Sequence, residues 1–191
     1  MKGRESDMPH EAYWESFFHA EEALDVLLGA GHLTGDIVEF GCGYGTFALP
    51  AARRTQGVVT ALDIEPQMVT RVREKALQLD LPNVRASLRD FVADGTGLKA
   101  GSQAYALMFN LLHLERPVTL LQEAHRALAS GGRIAIMHWR SDISTPRGPS
   151  MEIRPSPDRC RGWLEEADFY DVSAVDLHSS CPYHFGMVAR R

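Results

Sequence analysis

Ile37-Val38-Glu39-Phe40-Gly41-Cys42-Gly43-Tyr44-Gly45 joins a short, largely apolar segment to a turn of alternating glycines. The apolar segment predicts a buried strand over about 36–40, and helical spacing follows over about 46–55. Glycines at such a turn let the chain bend tightly and let a ligand approach the backbone. Ligands of open α/β sheets bind at the carboxyl ends of the strands, so the sequence predicts a binding site at this turn.

The residues around the glycines indicate which charge the ligand carries. A dinucleotide-binding turn has the pattern G-x-G-x-x-G, but Thr46 occupies the position of the third glycine here. Glu39 precedes the first glycine by two residues, where its carboxylate would repel a pyrophosphate group. The turn therefore favours a ligand that presents a cationic or hydrogen-bond-donating group.

Strand and helix patterns alternate along the rest of the chain. We predict strands over 58–62, 84–88, 104–109, 133–139, 172–177 and 185–189, helices over 10–28, 66–79, 118–128 and 159–167, and a loop over 140–157. Such alternation is typical of a parallel sheet covered on both faces, whereas the short connection between the last two strands predicts antiparallel pairing. The expected fold is an α/β three-layer sandwich with a seven-stranded, mostly parallel sheet and one antiparallel edge strand.

Several segments, in order, resemble the motifs of class I methyltransferases that depend on S-adenosylmethionine (SAM). The glycine turn is similar to their first motif, E/D-x-G-x-G-x-G. The other matching segments are Leu62-Asp63-Ile64-Glu65-Pro66-Gln67-Met68, Arg89-Asp90-Phe91, Phe109-Asn110-Leu111-Leu112-His113 and Leu128-Ala129-Ser130-Gly131-Gly132-Arg133. The resemblance spans roughly residues 36–139. It implies a Rossmann-like fold and in-line transfer of the SAM methyl group, with S-adenosylhomocysteine (SAH) as product.

The resemblance also implies how the cofactor would be held. Glu39 would face the amino-acid end of SAM, and Asp63 would accept hydrogen bonds from both ribose hydroxyls. Ile64 and Met68 would flank the adenine. The turn residues implied to bind the cofactor are Gly41, Cys42, Gly43 and Gly45.

Two further motifs would complete the cofactor site. Asp90 would accept a hydrogen bond from the adenine amino group, and the backbone of Phe91 would bond the ring. Asn110 follows the fourth predicted strand at the same edge of the sheet. Two positions depart from the family pattern, because Ala104 replaces a common Asp and Ser130 replaces a common Pro.

The sequence identifies candidate catalytic and substrate-binding residues less directly than cofactor-binding ones. Methyl transfer from SAM needs a general base only if the acceptor is protonated at the working pH. His113 and His138 lie near the ends of predicted strands at the ligand-binding edge, so each is a candidate for substrate contact or proton removal, although histidines at such places are more often structural. Further candidate substrate contacts are Tyr13, Trp14, Trp139 and Arg147.

Length and composition set further expectations. We expect one domain over 1–191, with an N-terminal helical cap (1–35), a cofactor-binding core (36–139) and a closing part (140–191) of loop, helix and strand pair. The formal net charge of −5 disfavours a nucleic-acid partner, and no apolar run is long enough to span a membrane. The three cysteines and eight histidines lack disulfide or metal-site spacing, so we predict no metal. A cytoplasmic monomer or homodimer is expected.

Three classes of function remain open. The first is a methyltransferase acting on a small-molecule acceptor, through an O, N, S or C atom that the sequence does not identify. The second is a non-catalytic SAM-binding regulatory protein, which would bind the product without methylating any acceptor. The third is an NAD(P)-dependent oxidoreductase, which is disfavoured by Thr46 and by the lack of a Tyr-x-x-x-Lys pair.

Overall fold

A computed structural model describes residues 8–191 of the chain, which form seven strands and six α-helices. The strands are β1 (Ile37–Phe40), β2 (Val59–Asp63), β3 (Val84–Leu88), β4 (Gln103–Phe109), β5 (Leu128–Trp139), β6 (Tyr170–Val175) and β7 (His184–Arg190). The helices are α1 (Glu11–Glu15), α2 (Ala20–Leu28), α3 (Ala48–Arg54), α4 (Pro66–Gln78), α5 (Pro117–Ala127) and α6 (Pro157–Glu166). Over the described residues, every helix is too short or too polar to cross a membrane.

All seven strands belong to one sheet, in the order β3-β2-β1-β4-β5-β7-β6. Strands β1 to β5 run parallel, and β7 runs antiparallel to both β5 and the edge strand β6. The direction of chain progression reverses between β1 and β4, and ligands of such sheets bind at this switch point. The predicted α/β sandwich is confirmed, with β7 as its antiparallel strand.

Helices cover both faces of the sheet. Helices α2, α3 and α4 contribute to a hydrophobic cluster that includes Leu24, and α5 and α6 contribute to a second cluster that includes Leu121. The strand β1 is buried along its whole length, with Ile37 in the first cluster and Val38 in the second. Because side chains alternate along a strand, Glu39 lies on the face covered by α2 to α4.

The predicted continuous helix over 10–28 is wrong, because the chain bends between α1 and α2. The Ser16 hydroxyl donates a hydrogen bond to the backbone oxygen of Tyr13 (2.7 Å). The backbone N–H of His19 donates to the backbone oxygen of Ser180 (2.8 Å) instead of to the preceding turn. The apolar spacing continues through the bend because Phe17 and the apolar residues of α2 enter the same cluster, so periodicity alone predicts one helix.

The predicted loop after β5 is held together by one guanidinium group. Arg154 follows a short 3-10 helix (Met151–Ile153) and donates hydrogen bonds back across the loop. Its acceptors are the backbone oxygens of Arg140 (2.9 Å), Arg147 (3.2 Å) and Pro149 (2.9 Å) and the Thr145 hydroxyl (2.7 Å). Gly148 (φ 117°) lies so close to the Trp139 ring that a Cβ there would come within 2.9 Å of indole Cγ. The loop is therefore packed against the end of β5.

Candidate active site

A cleft lies at the carboxyl ends of β1, β2 and β4, at the switch point of the sheet. The structure brings most of the predicted cofactor residues to it. Those that line the cleft are Glu39, Gly41, Cys42, Gly43, Asp63, Ile64, Asp90, Phe91 and Asn110. The predicted substrate residues that line it are Trp14, His113, Trp139 and Arg147.

Four predicted site residues lie outside the lining. Gly45 (φ 77°) faces the side chains of α3 and α4, and Met68 is 6% exposed on α4. Tyr13 is 48% exposed on the outer side of α1. His138 is fully buried and reaches the cleft only through its contact with His113. The Cα of Gly45 and the side chains of Met68, Tyr13 and His138 point away from the cleft surface.

Glu39 is a buried carboxylate beside the glycine turn. It accepts a hydrogen bond from the backbone N–H of Ala48, the first residue of α3. Its Oε2 atom is buried and has no hydrogen-bond partner within residues 8–191. Burial, with the nearby Asp63 carboxylate, raises the pKa of Glu39 well above its usual value. A cationic or donating ligand group in the cleft would provide the missing partner and favour the ionised form.

Asp63 connects the end of β2 to the glycine turn. Its Oδ2 accepts a hydrogen bond from the backbone N–H of Gly43 (2.8 Å), and its Oδ1 accepts one from Glu65 (3.0 Å). Burial raises the pKa of Asp63 despite these bonds. Burial, with the carboxylates of Glu39 and Asp63, also raises the pKa of the Cys42 thiol well above its usual value, which disfavours a thiolate nucleophile.

Asp90 and Phe91 form the end of the cleft that follows β3. Asp90 Oδ1 accepts hydrogen bonds from the backbone N–H groups of Val92 (3.2 Å) and Ala93 (3.0 Å), so the carboxylate stabilises the turn after it. The Phe91 ring packs edge-on against Phe40 at a centroid distance of 5.5 Å. Both residues thus present a rigid surface to the cleft.

Asn110 joins the ends of three strands. It has a left-handed backbone (φ 59°), and its own N–H donates to the backbone oxygen of Met137 in β5 (2.7 Å). Its Oδ1 accepts from the backbone N–H of Trp139 (3.1 Å), and its Nδ2 lies 3.4 Å from Nε2 of His184 in β7. These contacts position Asn110 firmly where β4 ends.

The part of the cleft near β5 is aromatic and apolar. Trp14 and Trp139 line it with ring centroids 6.3 Å apart, and Trp139 stacks on His184 at 4.1 Å. Sequence reasoning missed several residues that complete this wall. They are Met8, Phe47, Phe109, Leu111, Leu114 and Pro149. Phe47 and Phe109 adjoin recognised motifs, but Met8 and Pro149 reach the cleft only through tertiary packing.

The N-terminal segment crosses over the glycine turn and is attached there by polar contacts. Glu11 forms ion pairs with Arg71 (2.9 Å) and Lys75 (2.8 Å) of α4. Although burial opposes ionisation, hydrogen bonds from both cations lower the pKa of Glu11. The Tyr44 hydroxyl donates to the backbone oxygen of Pro9 (2.8 Å). These contacts hold Met8 against the cleft lining.

The comparison with known sequences agrees with this geometry. A family described as a methyltransferase domain matches residues 37–132, from the start of β1 into β5. The chain belongs to this methyltransferase family. A relative of the methyltransferase, the aklanonic acid methyltransferase DauC of Streptomyces sp. (strain C5), is 32% identical over 158 residues, and the match covers 71% of each chain. The chain is therefore a SAM-dependent methyltransferase.

Solved structures share the fold of the methyltransferase. A SAM-dependent methyltransferase from Aquifex aeolicus superposes with a TM-score of 0.77 at 22% identity, over 94% of this chain and 93% of that chain. Phosphoethanolamine N-methyltransferase 2 of Haemonchus contortus, solved in complex with SAM, superposes with a TM-score of 0.68 at 18% identity, over 81% of this chain and 37% of that chain. These likenesses confirm the Rossmann-like fold.

Proposed function

We propose that the methyltransferase transfers the methyl group of SAM to a small-molecule acceptor held in the aromatic part of the cleft. The observation that carries this proposal is the buried Oε2 atom of Glu39, which has no partner within the described chain and lies beside the glycine turn. Leaving a buried acceptor unpaired costs about 1–3 kcal/mol. An ammonium group from a ligand would remove that cost, and the amino-acid end of SAM carries one.

The residues around the turn fit SAM. Glu39 would accept from the amino group, and Gly41 and Gly43, which have no side chain, leave the backbone open to the ligand. Asp63 accepts backbone hydrogen bonds from Gly43 and Glu65, and its carboxylate, which has about four acceptor sites in all, would also accept from the ribose hydroxyls. The remaining contacts would come from Cys42, Ile64, Asp90, Phe91 and Asn110. When bound, SAM supplies a methyl group on a cationic sulfur, and transfer leaves the neutral thioether of SAH.

The aromatic wall supports an acceptor with a flat, largely apolar body. Trp14, Trp139 and Phe109 offer ring surfaces, and His113 and Arg147 offer polar groups among them. The name of the relative DauC specifies aklanonic acid, a small molecule, as the acceptor of that protein. By likeness to it, we propose a small organic acceptor here.

The loop after β5 would help to exclude water from the transfer. Gly148 and Pro149 line the cleft, and Arg154 donates hydrogen bonds to the backbone oxygens of Pro149 and of Arg147, the residue before Gly148. Excluding water prevents competing hydrolysis and strengthens electrostatic contacts with the reactants. The loop therefore belongs to the acceptor site in this proposal.

The proposal also covers the compartment, the class of partner and the oligomeric state of the protein. The free cysteines Cys42, Cys160 and Cys181 are all buried, which suits a reducing compartment such as the cytoplasm. The acidic net charge of −5 supports a small molecule rather than a nucleic acid as partner. We propose a monomer or homodimer in which residues 1–191 form one domain.

Calorimetric titration with SAM, SAH and NADH tests the cofactor part of the proposal. We expect SAM and SAH to bind and NADH not to bind. Replacing Glu39 by Gln removes a charge-assisted hydrogen bond worth about 1.5–3 kcal/mol, so SAM affinity should fall by roughly ten- to a hundredfold. Asp63→Asn should weaken the binding of both SAM and SAH, because Asp63 would accept hydrogen bonds from the ribose hydroxyls that the two ligands share.

Glu166→Gln is the matched control, because Glu166 is exposed on α6 at the opposite face of the sheet. Its SAM affinity should equal that of the wild type. Binding of NADH in place of SAM, or an unchanged SAM affinity in Glu39→Gln, would contradict the proposed cofactor site.

A further inference from the structure

Two histidines form a hydrogen-bonded pair at the acceptor side of the cleft. His113 follows β4 and lines the cleft, whereas His138 lies near the end of β5 and is 0% exposed. Nδ1 of His113 lies 3.2 Å from Nε2 of His138. Nδ1 of His138 lies 3.0 Å from the backbone oxygen of Trp139. The pair therefore links the cleft to the backbone of β5.

The backbone oxygen of Trp139 determines which nitrogens of the pair carry protons. A carbonyl oxygen only accepts hydrogen bonds, so Nδ1 of His138 must carry its proton. Burial, with nearby His113 and Arg154, lowers the pKa of His138 to about 3, so its Nε2 carries no proton at neutral pH. This Nε2 can then only accept, and His113 must donate from Nδ1. In neutral His113 the lone pair is consequently on Nε2.

We infer that His113 is the general base of the transfer, that His138 is a positioning residue that selects the His113 tautomer, and that the acceptor is a hydroxyl compound. The inference rests on the proposed methyl transfer in this cleft. A hydroxyl group keeps its proton at neutral pH and therefore benefits from a base. A carboxylate is already ionised at that pH and needs no base.

The proton step balances without a further reactant. The acceptor O–H bond breaks, its proton passes to Nε2 of His113, and its electron pair stays on oxygen. That oxygen forms the bond to the methyl carbon while the carbon–sulfur pair returns to sulfur. The positive charge lost by sulfur is then carried by the His113 imidazolium, whose Nδ1–H still donates to His138.

Titratable groups from the loop, from β7 and from the cleft wall lie around the pair. Arg154 and Arg147 approach from the loop, and Arg154 disfavours protonation of His138. Burial also lowers the pKa of His184 in β7 to about 3, so this third imidazole is neutral at pH 7. The carboxylates that line the same cleft are Glu39, Asp63, Glu65 and Asp90.

The tautomers can be read from long-range ¹H–¹⁵N NMR correlation spectra of the ¹⁵N-labelled protein bound to SAH. At neutral pH we expect the proton on Nδ1 in both His113 and His138, and we expect His138 to stay neutral down to about pH 5. A proton on Nε2 of His113 in the wild type would overturn the inference. This readout needs no acceptor and no variant, so it applies even if a substitution prevents folding.

Two substitutions test the role of His138. His138→Phe keeps a buried ring but removes the acceptor for Nδ1–H, so the proton of His113 should move mainly to Nε2. His138→Gln restores an accepting side-chain oxygen and should retain Nδ1–H. His125→Phe is the control, because His125 packs against Phe169 in another part of the fold. If His113 keeps Nδ1–H in His138→Phe, His138 does not position it.

Phenol and anisole test the acceptor class, since phenol has a hydroxyl proton and anisole has none. In the SAH complex, phenol should shift the ¹⁵N resonance of Nε2 in His113, and anisole should leave it unchanged. Equal shifts, or none, would overturn the assignment to hydroxyl acceptors. Failure of the protein to bind SAM in calorimetry would contradict the proposed function itself. SAM binding with the opposite His113 tautomer would contradict only this inference.

Discussion

At the scale of single residues, the cleft and the side chains packed behind its lining contain polar atoms that the described chain buries but does not pair. They include Oε2 of Glu39 beside the glycine turn and Nδ1 of His184 beside Trp139. Nε2 of His184 lies opposite the amide nitrogen of Asn110 and accepts from it, so the unpaired Nδ1 carries a proton. Folded proteins pair most buried polar groups, so an unpaired one calls for an explanation, such as a bound ligand or a catalytic role.

The neutral state of His184 predicts a pH dependence of stability. Burial lowers its pKa in the folded protein to about 3, whereas a histidine in an unfolded chain titrates near about 6.5. Below that pH the unfolded state binds a proton that the folded state does not. The contribution of neutral His184 to the free energy of unfolding is thus fully present above about pH 6.5 and is lost as the pH falls toward 3.

Urea unfolding of the wild type and of His184→Phe checks this prediction. The free energy of unfolding should fall more steeply for the wild type between about pH 6.5 and pH 4.5. Groups such as Glu39 titrate in both proteins and cancel in the difference. A constant difference between the two curves over this range would show that His184 titrates in the folded protein as it does in the unfolded chain.

At the scale of elements, the sequence predicts what depends on local pattern. The strand β3 has the predicted bounds, and the glycine turn follows β1 as expected, because alternation and glycine placement act over a few residues. The bend before α2 is not predictable in this way, since it depends on a hydrogen bond from His19 to the distant Ser180. The contribution of Pro149 to the cleft depends likewise on Arg154.

The burial of His138 shows a second limit of sequence reasoning. From Ile134 to Trp139 the strand β5 is buried on both faces, so polar and apolar residues do not alternate along it. His113 and His138 are therefore equivalent candidates in the sequence. Only the packing of β7 and of the loop on β5 distinguishes His113, which is half-buried and lines the cleft, from its fully buried partner.

The hydrogen bonds that Arg154 donates across the loop predict that the order of residues 140–153 depends on this one side chain. Lysine cannot form the forked set of hydrogen bonds that a guanidinium group forms, so Arg154→Lys should loosen the loop. We expect faster amide hydrogen exchange over 140–153 in this variant, with unchanged protection in β1 and β4. Arg159→Lys is the matched control, because Arg159 lies over the Trp163 ring and bonds no part of the loop in the described contacts. Unchanged exchange in Arg154→Lys would contradict the assigned role.

At the scale of the whole molecule, contacts between distant segments complete the cleft. The N-terminal cap is attached to α4 by Glu11 and to β5 by the contact of Trp14 with Trp139. The closing part contributes β7, which pairs with β5 from Arg133 to Trp139. The cap, the core and the closing part thus share one sheet or its covering layers, and we propose that they unfold together.

The positions of the tryptophans allow a test of this cooperativity. Trp14, Trp139 and Trp163 lie in the cap, the core and the closing part, respectively. Three variants can each keep one tryptophan and replace the other two by Phe. Within each variant, the urea midpoint measured by fluorescence should equal the midpoint measured by circular dichroism. An earlier fluorescence transition for Trp14 than for the circular dichroism of the same variant would show that the cap is a separate unit.

A crystal structure of the protein bound to SAH would locate the cofactor relative to Glu39 and Asp63. We expect the SAH amino group within hydrogen-bond distance of Glu39 Oε2, the ribose hydroxyls on Asp63 and the sulfur facing the aromatic wall near His113. A ligand bound elsewhere, or bound in the cleft with Glu39 Oε2 still unpaired, would contradict this expectation.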